Sequence, residues 1–510
     1  MLSVVLSGAV SGVEGFVVRV EADVSRGLPS FSTVGLGDSA VREGRDRVTA
    51  AIRNSGFRFP DDRVTVNLAP ADIRKVGASF DLPVALSVLA ATGQADQARL
   101  GRLLVVGELA LDGSTRPVRG VLPMAIAARM EGLAGIVVPP ANAAEASVVE
   151  EVEVLPAASL SSAARVLAGG RPDAPVEPRE AARTTRTDLR DVRGQLVARR
   201  ALEVAAAGGH NILFVGPPGV GKTMLARRLA DVLPRLSHEE AVVATMIHSV
   251  AGLLEPGSAL MSSPPFRSPH HSTSLAGLLG GGSVPRPGEV SLAHGGVLFL
   301  DELPEFRRDA LEGLRQPMED GVVSIVRAAG TTRLPARFTL AGSMNPCPCG
   351  YSGDAMRACA CTPSQLRRYR SRVSGPLLDR IDIHVAVLRP TVDELECATD
   401  GESSAVVMER VAGARLAQTE RFAYARERPT NAGVAIDELR GLGAFSAGAL
   451  SALRSAAMRM ALSARAYHRA MRVARTVADL DGASSVDRCH AVEALAYRND
   501  PGNGEGDVRK

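Results

Sequence analysis

Tryptophan is missing from this chain, and Tyr and Phe supply only five and twelve of its 510 residues. So few rings leave few platforms for stacked bases, which argues against binding single strands by stacking. Any hold on nucleic acid would have to grip the backbone. Charge of one sign is missing as well: at a formal net charge of +3, no global field gathers a polyanion, and local basic patches would have to do so. No apolar run reaches the ~20 residues of a membrane helix. The N-terminus lacks the basic start of a signal peptide, and Glu14 interrupts it before a spanning length. These absences predict a cytoplasmic protein with no membrane partner. The length exceeds a single core and predicts two or three domains.

Lysine is scarcer still. Among 59 basic residues only Lys75, Lys222 and Lys510 are lysines. An internal lysine that persists where Arg serves elsewhere is a candidate for a role needing a compact point charge, such as contact with phosphate. Cysteine is few but clustered. Cys347, Cys349, Cys359 and Cys361 fall within fifteen positions, whereas Cys397 and Cys489 stand alone. In a cytosolic chain such a cluster reads as metal binding before disulfide. Four thiolates could close a tetrahedral Zn²⁺ site, although C-x-C spacing is tighter than is usual for zinc. The alternative is four reduced thiols in an irregular loop.

Along the chain, residues 1–168 alternate strand-like segments (15–23 and 63–67) with helical ones (39–53 and 81–91). Residues 169–187, rich in Pro and Gly and poor in apolar residues, read as a linker. A second α/β unit covers 188–390, with apolar strand runs at 211–215 and 296–300. Residues 391–499 turn helical and rich in Ala and Arg, and the polar tail 500–510 reads as disordered.

The run G-P-P-G-V-G-K-T, from Gly216, Pro217, Pro218, Gly219, Val220 and Gly221 to Lys222 and Thr223, follows an apolar strand and opens a helical pattern. That context is what a Walker A phosphate loop requires. Glycines let backbone N–H groups turn toward phosphate, the helix N-terminus adds positive potential, Lys222 reaches the β/γ oxygens and Thr223 offers a hydroxyl to Mg²⁺. ATP and Mg²⁺ are the expected cofactors. Downstream, an apolar strand ends in Asp301 and Glu302. Asp301 is the candidate Mg²⁺ ligand, and Glu302 the candidate for polarising the attacking water. The strand of residues 338–345 delivers the Asn345 amide, a candidate sensor of the γ-phosphate. The bland readings, an exposed pair of acids at a strand end and a strand-terminating Asn, are less economical once the loop lies upstream.

Three strings carry a family resemblance: P-G-E-V-S-L-A-H-G-G-V-L-F-L-D-E-L-P-E-F (287–306), F-R-S-P-H-H-S (266–272) and S-G-P-L-L-D-R-I-D (374–382). They resemble the Mg-chelatase-related AAA+ ATPases. Roughly residues 1–498 are similar to the YifB/ComM branch, competence-associated proteins that join a Lon-like domain to the ATPase. The resemblance implies an α/β protein of three parts. These are a Lon-protease-like α+β domain of the ribosomal protein S5 domain 2-like type (1–168), a P-loop AAA+ core (188–390) and a C-terminal helical lid (391–499). It implies further that Arg380 is an arginine finger for a neighbouring subunit and that Arg465 is the second sensor arginine of the lid. Residues 322–327 and 331–338, joined by a Gly-containing turn, read as a hairpin with Arg327, Arg333 and Arg337 near its tip; the resemblance implies that it lines a central pore, which makes these arginines candidate DNA contacts. Arg454, Arg459, Arg465, Arg469, Arg472 and Arg475 make the lid basic; a solvated helix face and a phosphate-facing surface explain that equally well.

In the first domain, Ser79 falls where Lon places its nucleophile, but Met124 stands in the segment similar to the one that carries Lon's lysine. A serine without a base is a weak nucleophile, so the domain is expected to be a protease scaffold without protease chemistry. The leading expectation is a hexameric ATP-driven DNA motor for branch migration in recombination during natural transformation. A magnesium-chelatase motor subunit is the alternative, and an ATP-dependent protease is disfavoured.

Overall fold

The computed structural model describes residues 1–35, 39–71, 75, 77–176, 188–282, 285–327, 330–354, 356–391, 393–394, 401–424 and 430–498. The tail 500–510 and the latter part of the expected linker, 177–187, lie outside them.

The first sheet has seven strands in the order Ser30–Val34, Arg63–Ala69, Glu14–Ser25, Leu2–Ser11, Leu103–Val105, Gly135–Val138, Glu153–Pro156. Glu14–Ser25 is antiparallel to both its neighbours, and the remaining pairs are parallel. The period of two sorts its side chains onto two cores. Val5, Ala9, Val18, Leu103 and Val105 pack with the helices Ser39–Asn54, Asp81–Ala91 and Leu160–Leu167. Leu6, Val10, Val17, Leu104 and Val106 pack with Val121–Met130 on the other face. The start of the segment read as linker is tied down. Asp173 accepts from Ala158 N at 2.7 Å and from Ser162 Oγ, and pairs with Arg165.

The second sheet has five parallel strands, ordered Phe266–Arg267, Val297–Leu300, Thr339–Met344, Ile212–Val215, Ile383–Ala386. Every residue of Ile212–Val215 and Val297–Leu300 is buried. Such unbroken apolar runs suit a parallel sheet covered on both faces. Ile212 and Phe214 face a core shared with Leu196–Gly208, Lys222–Val232 and the C-terminal helices Ser404–Arg421, Ala447–Arg459, Ala464–Leu480 and Arg488–Ala496. Leu213 and Val215 face the other core, which contains Val323, Ile325 and Leu334 of the hairpin. No helix among the described residues is long and apolar enough to cross a membrane.

The two sheets meet through buried contacts. Glu145, on the first half, accepts from Leu122 N at 2.8 Å and from Ser249 Oγ of the helix His238–Ala251. Gly120 N donates to Ser249 O at 3.3 Å. Val13, in the turn after the first strand, joins the hairpin-side core of the second half. Beside it, a Cβ on Gly12 would fall 2.6 Å from the Thr332 methyl of the hairpin.

Candidate nucleotide site and its surroundings

The strand Ile212–Val215 runs into the glycine-rich loop, and the helix Lys222–Val232 begins immediately after it. Gly219 and Gly221 hold φ of 80° and 91°, a left-handed backbone that favours glycine, and nothing crowds Gly219. Lys222 is buried, and its Nζ donates to Gly216 O (2.7 Å), Pro217 O (2.8 Å) and Asn345 Oδ1 (3.0 Å). Burial pulls its pKa below the ordinary lysine value, while Asp301 and Glu302 pull the other way. All three acceptors are neutral, so an anionic phosphate oxygen makes a stronger bond than any of them.

Thr223 Oγ1 donates to Asp301 Oδ2 at 2.9 Å. The second carboxylate oxygen of Asp301 accepts from Glu302 N at 3.1 Å and from Ser343 Oγ. One hydroxyl and one carboxylate thus sit together across the end of the intervening strand Thr339–Met344, a hard-oxygen pair that suits Mg²⁺ with phosphate and water completing its shell. Glu302 takes a left-handed backbone (φ 54°, ψ 49°), which non-glycine residues rarely adopt, and its side chain is exposed. Its Oε2 lies 3.7 Å from His271 Nδ1, and the His271 ring lies against His270, centroids 4.0 Å apart.

The more remote candidates are placed differently. Arg380 is buried in its own chain, paired with Glu319 at 2.6 Å and donating to Pro376 O at 2.8 Å. No described hydrogen bond joins it to the glycine-rich loop. Arg465 is exposed on the first turn of Ala464–Leu480. One turn on, Arg469 donates to Arg380 O at 3.0 Å and pairs with Asp382. Asp382 is buried; burial alone would raise its pKa, but hydrogen bonding to His210 and the Arg469 charge hold it well below the usual carboxylate range. Three of the six lid arginines fit neither expected reading. Arg475 is fully buried and donates to the carbonyls of Gly443, Ala483 and Ser484; Arg472 donates to Val434 O; Arg469 holds Asp382.

The hairpin forms from Val322–Arg327 and Gly330–Pro335, with Arg327 opposite Gly330 at the tip. Arg327 and Arg333 are exposed along it. Arg337 is not near the tip. Pairing ends at Pro335, Ala336 N turns back to Gly321 O, and Arg337 N donates to His294 Nδ1 at 3.1 Å, at the base.

The four clustered cysteines converge, with all their sulfurs within 4.8 Å of one another. In the first half, Ser79 and Met124 are both buried.

Ser343, His271, Glu319 and Asp382 partner the candidate residues without having been singled out for a role in the sequence. Each lies in or beside a quoted motif, but its partner is tens of residues away.

Comparison with known proteins places these features in a common frame. Residues 188–395 match the family model "Magnesium chelatase, subunit ChlI", residues 20–142 match "Subunit ChlI of Mg-chelatase", and residues 401–498 match the ChlI C-terminal model. The chain is 42% identical to the protein YifB of Escherichia coli over 500 residues, covering 98% of this chain and 97% of that one. It is also 42% identical to the competence protein ComM of Haemophilus influenzae over 506 residues, with the same coverage. It is also 33% identical to Lon protease 2 of Bacillus subtilis over 141 residues, 26% of this chain and 25% of that one.

Proposed function

Because the chain belongs to the magnesium chelatase subunit ChlI family, in the branch that holds YifB and ComM, we propose that it is an AAA+ ATPase that assembles as a six-membered ring and drives branch migration on DNA. The observation that carries the ATPase reading is the convergence of Lys222, Thr223, Asp301 and Asn345 at the ends of three adjacent parallel strands. In this reading Lys222 and the loop from Gly216 to Gly221 bind the phosphates. Thr223 and Asp301 hold Mg²⁺, which when bound neutralises phosphate charge. Ser343 fixes the Asp301 carboxylate. Glu302 orients a water and takes its proton, and Asn345 exchanges its bond with Lys222 for one to the γ-phosphate. Arg380 of one subunit reaches the site of the next, and Arg465 closes the lid over the same phosphates.

The DNA half of the reading rests on the basic hairpin, with Arg327 and Arg333 exposed, and on the competence name of one full-length relative. The test is ATP hydrolysis by the full chain with forked and four-way DNA junctions. Hydrolysis should rise with DNA, branches should move only with hydrolysable ATP, and both should weaken as salt rises. A ring that hydrolyses ATP but responds to no DNA structure would overturn the DNA reading in favour of a chelatase-like client. ATP-dependent casein cleavage that disappears in Ser79→Ala would restore the protease reading.

A further inference from the structure

The loop that follows Asn345 brings Cys347, Cys349, Cys359 and Cys361 together, none of them in a disulfide. Cys347 Sγ lies 3.3 Å from Cys349 Sγ and 3.6 Å from Cys359 Sγ, and Cys349 and Cys359 are 3.6 Å apart. A tetrahedron of thiolates about 2.3 Å from a Zn²⁺ ion has edges of roughly 3.8 Å, close to the separations of these three sulfurs, and Cys361 Sγ lies within 4.8 Å of each of them. A polynuclear iron–sulfur cluster would need its thiolates spread further apart. The backbone has also turned donors toward the sulfurs. Ser352 N points at Cys347 Sγ (3.2 Å), Cys349 N at Cys361 Sγ (3.4 Å) and Cys361 N at Cys359 Sγ (3.5 Å). N–H groups aimed at sulfur stabilise the negative charge of metal-bound thiolates.

This knuckle is built against the nucleotide loop. Gly350 N closes a turn on Cys347 O at 2.9 Å. Gly350 has φ +88°, and a Cβ built on it would fall 2.7 Å from Pro218 Cδ and 3.3 Å from Pro218 Cγ. The turn and the glycine-rich loop are therefore in van der Waals contact with no room between them. Two positions before Cys347, Asn345 accepts from Lys222 Nζ. On its far side, Cys361 leads into the helix Pro363–Arg370, capped by Thr362 and Gln365, whose Tyr369 is buried beside Asn345.

From this geometry we infer that the four cysteines bind one structural Zn²⁺, and that the metal-closed knuckle braces Pro218 and Asn345 so that nucleotide affinity depends on zinc occupancy. The second half of the inference rests on the nucleotide-site reading above; the first does not. The ion takes no part in chemistry, since four protein thiolates leave it no open position. It replaces the many conformations of a fifteen-residue cysteine loop with one, and so removes an ordering cost that nucleotide binding would otherwise bear.

The test uses the full chain purified without chelators. Elemental analysis should give about one zinc per chain, and Co²⁺ exchanged into the site should give the absorption of a tetrahedral thiolate complex. Stripping the metal from protein that stays folded by circular dichroism should weaken binding of a fluorescent ATP analogue by about tenfold, and Zn²⁺ should restore it. Gly350→Ala tests the contact without touching a ligand: zinc content should be unchanged and nucleotide binding weaker. Folded protein with neither zinc nor a Co²⁺ thiolate spectrum would overturn the metal site, and so would stoichiometric iron. Zinc whose removal leaves nucleotide affinity unchanged, with Gly350→Ala also at parental affinity, would overturn the bracing. A zinc-loaded parent that binds no nucleotide at all would instead overturn the ATPase reading and leave the metal site standing.

Discussion

At the scale of single residues, the surroundings of Lys222 and Glu302 predict different failures. Lys222 brings the one cation inside the loop, with all its hydrogen bonds made to neutral oxygens. Lys222→Ala should therefore lose nucleotide binding as measured by equilibrium dialysis. Glu302 makes no described hydrogen bond to the loop, and its Oε2 faces His271 Nδ1 at 3.7 Å. Glu302→Gln should bind ATP at near-parental affinity and release phosphate about 10²–10⁴-fold more slowly. Hydrolysis at the parental rate would remove Glu302 from the mechanism. His294 makes a separate prediction. Burial first, and the Arg337 charge second, bring its pKa down to about 4, and its Nδ1 accepts from Arg337 N and so carries no proton. The depressed pKa means that the stability it contributes is present above pH ~6.5 and is lost as pH falls toward 4, because the unfolded chain takes up the proton first. The loss is on the order of 3 kcal/mol. His294→Gln keeps an acceptor that does not titrate, so urea midpoints measured from pH 7 to pH 4 should fall less steeply than in the parent. Equal slopes would count against this account.

Among the elements, the C-terminal helix Ala464–Leu480 is fastened to the start of the strand Ile383–Ala386 by Asp382, which pairs with Arg469 and faces His210, itself bonded to Thr476 at 2.8 Å. Asp382→Ala would leave a guanidinium and an imidazole without their anion and should cost about 3 kcal/mol in urea denaturation. A cost under ~1 kcal/mol would show that the shared apolar core alone holds this helix. This junction was not legible in the sequence, and the reason is physical. Asp382 and Arg469 are 87 positions apart and meet only because strand order and helix packing bring them together. Ser343 and Asp301, 42 apart, meet because their strands are neighbours. What was legible is what local chemistry dictates. The strands at 212–215 and 297–300 announce themselves as unbroken apolar runs, the helix Asp81–Ala91 begins and ends where its pattern does, and the glycine-rich loop is contiguous. Arg337 was misplaced because a period of two says which face a residue takes, not where pairing stops. Arg469, Arg472 and Arg475 escaped both expected readings because nothing in their spacing shows which carbonyls and carboxylates need donors inside the fold.

For the whole molecule, the placement of Arg380 bears on assembly. Within one chain it is paired with Glu319 and makes no described bond to that chain's own loop. If it serves a neighbour, Arg380→Ala should bind ATP normally and hydrolyse it poorly. Mixed with Lys222→Ala protein it should recover part of the activity, since some interfaces then join an intact arginine to an intact loop. No recovery in the mixture would make the arginine a matter of folding alone.

The seam between the two sheets has a further consequence. Glu145 lies buried under Ser249, Val13 sits in the second half's core, and Gly12 rests on Thr332 of the hairpin. Close-packed atoms do not compress, so a displacement of the hairpin is also a displacement of the turn at Gly12. The covalent tether then matters less than the seam. A chain severed at a protease site inserted after Pro178 should elute as one particle in gel filtration and keep its ATPase activity, two pieces acting as a single lever. Fragments that part company would show that the linker, and not the seam, unites the machine.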